Sequence, residues 1–186
     1  MSNSQITETA IANALKELTK KKLFKDISIQ DIVSECGISR KTFYNHFQDK
    51  YQLADWIFKQ EIFGKILSTT TIRNWKQGSY DLCHYLNDNR TFYLNLLRFE
   101  GQNSLKQYLY DLTDSQIRLL VDELLDGRTI SDGDMKFIIE FYYNAFIGTL
   151  SVWVEQDMED SPDNIVERWC GLVDNSLENF IRKFAR

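Results

Sequence analysis

Between Ser39 and Lys50 the chain gathers Arg40, Lys41, Thr42, Tyr44, Asn45, His46 and Lys50, interrupted by Phe43 and Phe47. Guanidinium, ammonium and carboxamide groups can pair with base edges, while hydroxyl, phenol, imidazole and ammonium groups suit phosphate oxygens. The chemistry on offer is recognition of a polyanion, not bond making. Phe43 and Phe47 stand four apart, the spacing that puts two side chains on one helical face. With that face inward, the polar residues are left on another.

A helix of two turns is not stable alone, so its neighbours must hold it. Ser28 can cap a preceding helix, and Asp31 three positions later suits the N-terminal dipole. Ile29, Ile32, Val33 and Cys36 fall on one face of that helix. Gly37 follows, the residue that most easily takes a left-handed helix end. Ser39 caps the polar helix, and Asp49 can cap a third, with Lys50 at its start and Leu53, Trp56 and Ile57 on its apolar stripe. Two short helices joined by a tight turn form the arrangement in which the second helix enters the major groove and the first crosses the backbone.

This stretch resembles the DNA-binding domain of TetR/AcrR-family transcriptional regulators. The shared pattern runs from a Thr or Ser opening the second helix, through a Gly-Val or Gly-Ile turn, to Ser-x-x-Thr-x-Tyr-x-x-Phe-x-x-Lys-x-x-Leu. Ser28, Ile32, Gly37, Ile38, Ser39, Thr42, Tyr44, Phe47, Lys50 and Leu53 occupy the matching places. Val33 departs from the family's usual Ala. The resemblance implies a recognition helix at Ser39–Phe47, base contacts from Arg40, Lys41 and Asn45, and phosphate contacts from Tyr44, His46 and Lys50, with Thr42 and Ser28 as further candidates.

The net charge of −5 would oppose nucleic-acid binding if it were evenly spread. It is not. Residues 1–50 carry 8 Lys or Arg against 6 Asp or Glu, leaving 14 against 21 for the rest. The electrostatic footprint of DNA binding is local. The Lys20-Lys21-Lys22 run, with Lys25, either extends that footprint or forms a solvated helix end.

Hydrophobic residues make up 43% of the chain, enough for a real core, and one Pro with 8 Gly among 186 residues points to an all-α protein. The expected architecture is a three-helix helix-turn-helix domain at residues 1–52, linked by a fourth helix from about 49 to a C-terminal regulatory and dimerisation domain at 53–186, with about nine helices in all. Ile6, Ala10, Ile11, Ala14, Leu15 and Leu18 mark the first helix. The fourth should extend to about Leu67, and later helices are predicted at about Tyr80–Asn87, Arg90–Phe99, Asn103–Leu125, Asp134–Met158 and Pro162–Phe184. Cys36, Cys83 and Cys170 fit no disulfide framework or metal site. No signal peptide or membrane-length apolar run is read from the sequence, so the expected home is the cytoplasm.

Phe137 to Val154 is apolar on nearly every side, which calls for a covering partner surface. With the last helix it resembles the dimer-forming pair of the same family, implying a homodimer with Phe146, Trp153, Trp169, Val173, Leu177 and Phe180 at the interface. The run FYYNAFIGTLSVWV at Phe141–Val154, together with Trp56-Ile57-Phe58, also resembles the family branch that contains regulators of dihydroxyacetone kinase operons.

Tyr80, His84, Tyr93, Tyr108, Phe141 and Asn144 combine aromatic walls with polar groups, the composition of a small-molecule pocket. Ordinary core packing would use the same aromatics. The family makes a small-molecule effector the leading expectation; a partner protein acting as the signal is the alternative, and a dimerisation protein without DNA binding is the rival class. With His46 and His84 the only histidines, no phosphate-cradling glycine loop and no inferable triad, neither enzyme activity, a metal nor a cofactor is expected.

Overall fold

The computed structural model describes residues 3–64, 74–97, 103–173 and 175–186, with the backbone alone for Asn3, Phe63, residues 103–109 and Leu112. Among the described residues the regular elements are helical, with no strand. The α-helices are α1 (Asn3–Thr19), α2 (Ile29–Cys36), α3 (Arg40–Tyr44), α4 (Lys50–Phe58), α5 (Trp75–Asp88), α6 (Arg90–Leu97), α7 (Asn103–Leu125), α8 (Asp132–Glu155), α9 (Pro162–Val173) and α10 (Ser176–Phe184). The fold is all-α, as the scarcity of helix breakers implies.

Packing divides the chain into two compact units. The first comprises Met1–Lys65 and Asp88–Gln102, so it holds α1 to α4 and also α6. Its core joins Ile11 and Leu15 of α1, Phe24 and Ile27 of the following turn, Ile32 of α2, Phe43 of α3 and Leu53 and Ile57 of α4, all 1% exposed or less. Tyr93 and Leu96 of α6 are equally buried. After α4 the chain continues as a π-helical turn over Lys59–Phe63. Glu61 of this turn accepts from Lys16 Nζ at 2.6 Å and from the Tyr93 hydroxyl at 3.3 Å. Asn95 of α6 donates to Thr19 O at 2.9 Å and accepts from the Phe24 amide at 3.3 Å. These bonds bind α6 to α1 and to the Phe24–Asp26 turn. The end of the helix expected to reach Leu67, and the expected position of Phe99, lie outside the described residues.

The second unit comprises Ile66–Asn87 and Asn103–Arg186. Val121 and Leu125 of α7, Met135, Ile138 and Ile139 of α8, and Leu177 and Ile181 of α10 form one buried cluster. Trp153 is buried, and its indole N–H donates to Asp160 O at 2.9 Å. Reciprocal backbone bonds of 2.8 and 2.9 Å between Thr129 and Arg186 tie the end of α10 to the loop before α8. Cys83 and Cys170 are buried thiols outside any disulfide, while Cys36 is half-buried; burial pushes Cys83 up to about 12.

Two sequence expectations change. The final helix is not continuous: Asn175 takes a left-handed conformation with φ 60°, separating α9 from α10. Asn tolerates that region better than most residues. Ser176 Oγ, just beyond the break, donates to Val173 O at 2.7 Å and pairs with the Tyr142 hydroxyl at 2.5 Å. In addition, α8 is long and apolar enough, by length and composition, to cross a membrane, although only 22% of its most apolar window is buried. The all-round apolarity that calls for a partner surface also produces this result.

Candidate nucleic-acid interface

The local chemistry of α2 and α3 sets the geometry of the site. Ser28 and Asp31 form a complete capping box: Ser28 Oγ accepts from the Asp31 amide at 3.1 Å, and Asp31 accepts from the Ser28 amide at 2.8 Å. Lys22 Nζ adds a 2.7 Å contact to Asp31. The Lys22 ammonium, then Ser28, hold the Asp31 carboxyl well below the usual carboxylate range. Gly37 closes α2 with φ 72°, a left-handed conformation that a side chain would strain. Ser39 caps α3, accepting from the Thr42 amide at 3.0 Å. Asp49 caps α4, accepting from the Tyr51 and Gln52 amides at 2.8 Å each.

Phe43 and Phe47 both turn inward, and Phe47 packs edge-on against Trp56 with ring centroids 5.8 Å apart. This anchors a helix of only five residues and leaves Arg40, Lys41, Tyr44 and Asn45 exposed. Arg40 makes no ion pair among the described residues, and its guanidinium reaches the Tyr44 hydroxyl at 3.5 Å. Neither Lys41 nor Asn45 uses its side chain in a hydrogen bond among the described residues. Thr42 is half-buried, its hydroxyl 2.9 Å from Ser39 Oγ. His46 is half-buried, its Nδ1 3.4 Å from both Glu8 Oε1 and Ser4 Oγ.

Lys50 and Ser28 are engaged inside the fold. Lys50 Nζ donates to three backbone carbonyls, Phe24 O, Lys25 O and Ile27 O, at 2.8, 2.9 and 2.8 Å. It also lies 5.0 Å from the centre of the Phe24 ring. Burial pulls its pKa down, against a smaller upward pull from Asp26. All three ammonium protons are therefore committed to closing the Phe24–Asp26 turn. Ser28 likewise uses its hydroxyl on Asp31, donating to the carboxylate at 2.7 Å. Sequence pattern locates these residues but does not show this use, because the three carbonyls lie 23 to 26 positions away from Lys50.

The basic run resolves into ion pairs: Lys20 with Glu17 at 2.6 Å, Lys21 with Glu35 at 3.7 Å and Lys22 with Asp31 at 2.7 Å. The run is thus compensated locally, whereas Arg40 and Lys41 on α3 form no ion pair among the described residues.

The six pocket candidates lie on several elements and in different surroundings. Tyr93 belongs to the first unit, fully buried, with its hydroxyl on Glu61. His84 is exposed and lies 2.8 Å from Asp163. Asn144 donates to Glu140 O of its own helix, and Phe141 is exposed. Tyr80 is half-buried on α5, and the side chain of Tyr108 lies outside the described residues. Of the six interface candidates, Trp153 and Leu177 are interior. Phe146 and Trp169 are half-buried against each other at 5.8 Å, Val173 is half-buried, and Phe180 stacks between Phe137 and Phe184. On α8, α9 and α10 the large apolar side chains left uncovered, among the described residues, are Phe137, Phe141, Val152, Leu172 and Phe184.

Comparison with known proteins identifies the family. Residues 11–56 match the bacterial regulatory proteins of the tetR family, and residues 73–175 match a transcriptional regulator C-terminal region. The chain is 36% identical over 93 residues to the HTH-type dhaKLM operon transcriptional activator DhaS of Lactococcus lactis subsp. lactis (strain IL1403), a match spanning 50% of each protein. Among solved structures, a dihydroxyacetone kinase operon activator DhaS superposes with a TM-score of 0.70 at 23% identity, covering 97% of this chain and 99% of that one. A TetR transcriptional regulator from Streptococcus agalactiae 2603V gives 0.62 at 19%, covering 91% and 94%. These two share the fold. A helix-turn-helix with an outward polar α3, joined to a matching C-terminal region, identifies the chain as a member of the TetR family of DNA-binding transcriptional regulators, a family of regulators and not of enzymes.

Proposed function

We propose that two copies of this chain bind a short, near-palindromic operator in the cytoplasm, each placing α3 in the major groove. Arg40, Lys41 and Asn45 read base edges; Thr42, Tyr44 and His46 contact phosphates. Lys50 and Ser28 act as positioning residues, holding the Phe24–Asp26 turn against α4 and opening α2. The observation that carries the reading is the division of α3: Phe43 and Phe47 are buried, while Arg40, Lys41 and Asn45 stand exposed with uncommitted donors. The second copy covers the apolar surface of α8, α9 and α10, where Phe137 is 58%, Phe141 53% and Leu172 80% exposed. Large apolar side chains left exposed in a group, as Phe137, Phe141 and Phe184 are around Phe180, suit an interaction site. Symmetry would then set the recognition helices about one DNA turn apart.

A signal received by the C-terminal unit changes that spacing and so the affinity. A small-molecule effector is the leading form of that signal. In a second reading a partner protein delivers it. A metabolite that protects amides of α5, α7 and α8 from hydrogen exchange would return the signal to a small ligand.

The test is selection of bound sequences from random DNA by the purified full chain. A near-palindromic consensus is expected. Arg40→Ala or Asn45→Ala should then cost about 1–3 kcal/mol and relax preference at one base pair. If Arg40→Ala weakened every operator variant equally, its role as a base reader would fail.

A further inference from the structure

A cleft of about 580 Å³ opens on the first unit, between the chain that follows α1 and the outer face of α6. It is lined by Leu23, Phe24, Lys25, Arg90, Thr91, Leu94 and Asn95. Its size falls in the range of small-molecule sites. The charged groups lining it, Lys25 and Arg90, are both cations, and neither forms an ion pair among the described residues. This sets them apart from Lys20, Lys21 and Lys22, each of which has an acid of its own. Leu23, 55% exposed, and the half-buried Leu94 supply apolar surface beside the cations.

The walls are held in place. Asn95 bonds the Phe24 amide and the Thr19 carbonyl, and Lys50 bonds the Phe24 and Lys25 carbonyls. A ligand would therefore meet a cleft that is already formed, which lowers the cost of binding. The geometry points to a binding site for a small amphipathic organic anion: a carboxylate or phosphate head between Lys25 and Arg90, and a short apolar body on Leu23 and Leu94. An inorganic ion would leave the leucines unused, and a DNA phosphate would have no use for them. Because the site joins the Phe24–Asp26 turn to α6, its occupant would stabilise the contact between them. This site is separate from α3 and from the C-terminal unit.

The experiment uses the full chain, amide NMR and four probes: octanoate, octyl phosphate, octylammonium and inorganic phosphate. Octanoate and octyl phosphate are expected to shift the amides of residues 23–25 and 90–95 saturably. The double variant Lys25→Gln/Arg90→Gln should weaken both by about tenfold or more, since each charge-assisted hydrogen bond is among the stronger ones. Thr91→Trp, an exposed position that can be filled without disturbing the core, should block both. Equal binding of octylammonium, undiminished binding to the double variant, or saturation by inorganic phosphate at the same concentration would each overturn the proposal. So would a double variant that loses operator affinity while no amphiphile binds the parent chain, which would assign the two cations to DNA.

Discussion

The first unit covers its large apolar side chains within one chain, and the second leaves a connected group of its own in the open. Phe43 and Phe141 are both phenylalanines on helices, yet one is fully enclosed and the other half-exposed. The head does expose Ile6, Leu23, Tyr44 and Tyr51, but two of these carry phenol ends, and scattered apolar residues are normal on a surface. In the second unit the rings stack in the order Phe141, Phe137, Phe180, Phe184, with neighbouring centroids 4.5 to 6.4 Å apart. The polar groups differ too. In the head, Ser28, Ser39, Asp49 and Lys50 meet backbone groups that the short helices leave open. The first unit thus encloses its core within one chain, while the second presents the apolar side chains on which the proposed second copy would sit.

The largest effect that bears on this contrast is Phe43→Ala. Removing a fully buried phenylalanine should cost about 3–5 kcal/mol of stability, and operator binding should be lost with it. Urea unfolding at two protein concentrations checks whether the loss is independent of concentration; a strong concentration dependence would mean that the head is not self-sufficient. Next comes Phe141→Asp with Leu172→Asp. Central interface anchors are worth about 2 kcal/mol or more, so the dimer dissociation constant should rise by about 30-fold or more while helicity is retained. Sedimentation of an unchanged dimer would break the comparison from the other side.

Lys50→Met should cost about 2 kcal/mol through the lost carbonyl bonds. It should weaken all operator variants alike and leave the salt dependence of binding unchanged. A fall of about one unit in the salt slope would instead assign Lys50 to a phosphate. The smallest effect concerns pH. The folded pKa of Asp31 lies below its unfolded value of about 3.9. Its contribution is therefore complete above that value and is lost as pH falls through the folded pKa. Acid unfolding of the head should begin below about pH 4, and Asp31→Asn should flatten that dependence; an unchanged acid limb would remove Asp31 from the account.

Much of the head was legible because its determinants are local. A cap at Ser28 or Ser39, the left-handed Gly37 and the Phe43–Phe47 repeat each act over three or four residues, so spacing alone predicts them. The same reasoning misjudged the C-terminal helices. Apolar steps from Ile165 to Phe184 suggest one helix, but the break at Asn175 turns α10 onto a core shared with α7 and α8. Trp153 and Leu177 are apolar residues on apolar helices, and nothing in their spacing says that they face inward while Phe137 and Leu172 face outward.

By itself the sequence determined the all-α class, the helix-turn-helix and the polar face of α3, because periodicity and capping are interactions between near neighbours along the chain. The tertiary structure alone decided the rest. It set Lys50 on carbonyls 23 to 26 residues away, joined Asn95 to Thr19 and Phe24, and placed Lys25 and Arg90 around one cleft. Those contacts depend on which helices pack side by side, and packing is settled by the burial of whole faces at once, not by the spacing within any one of them.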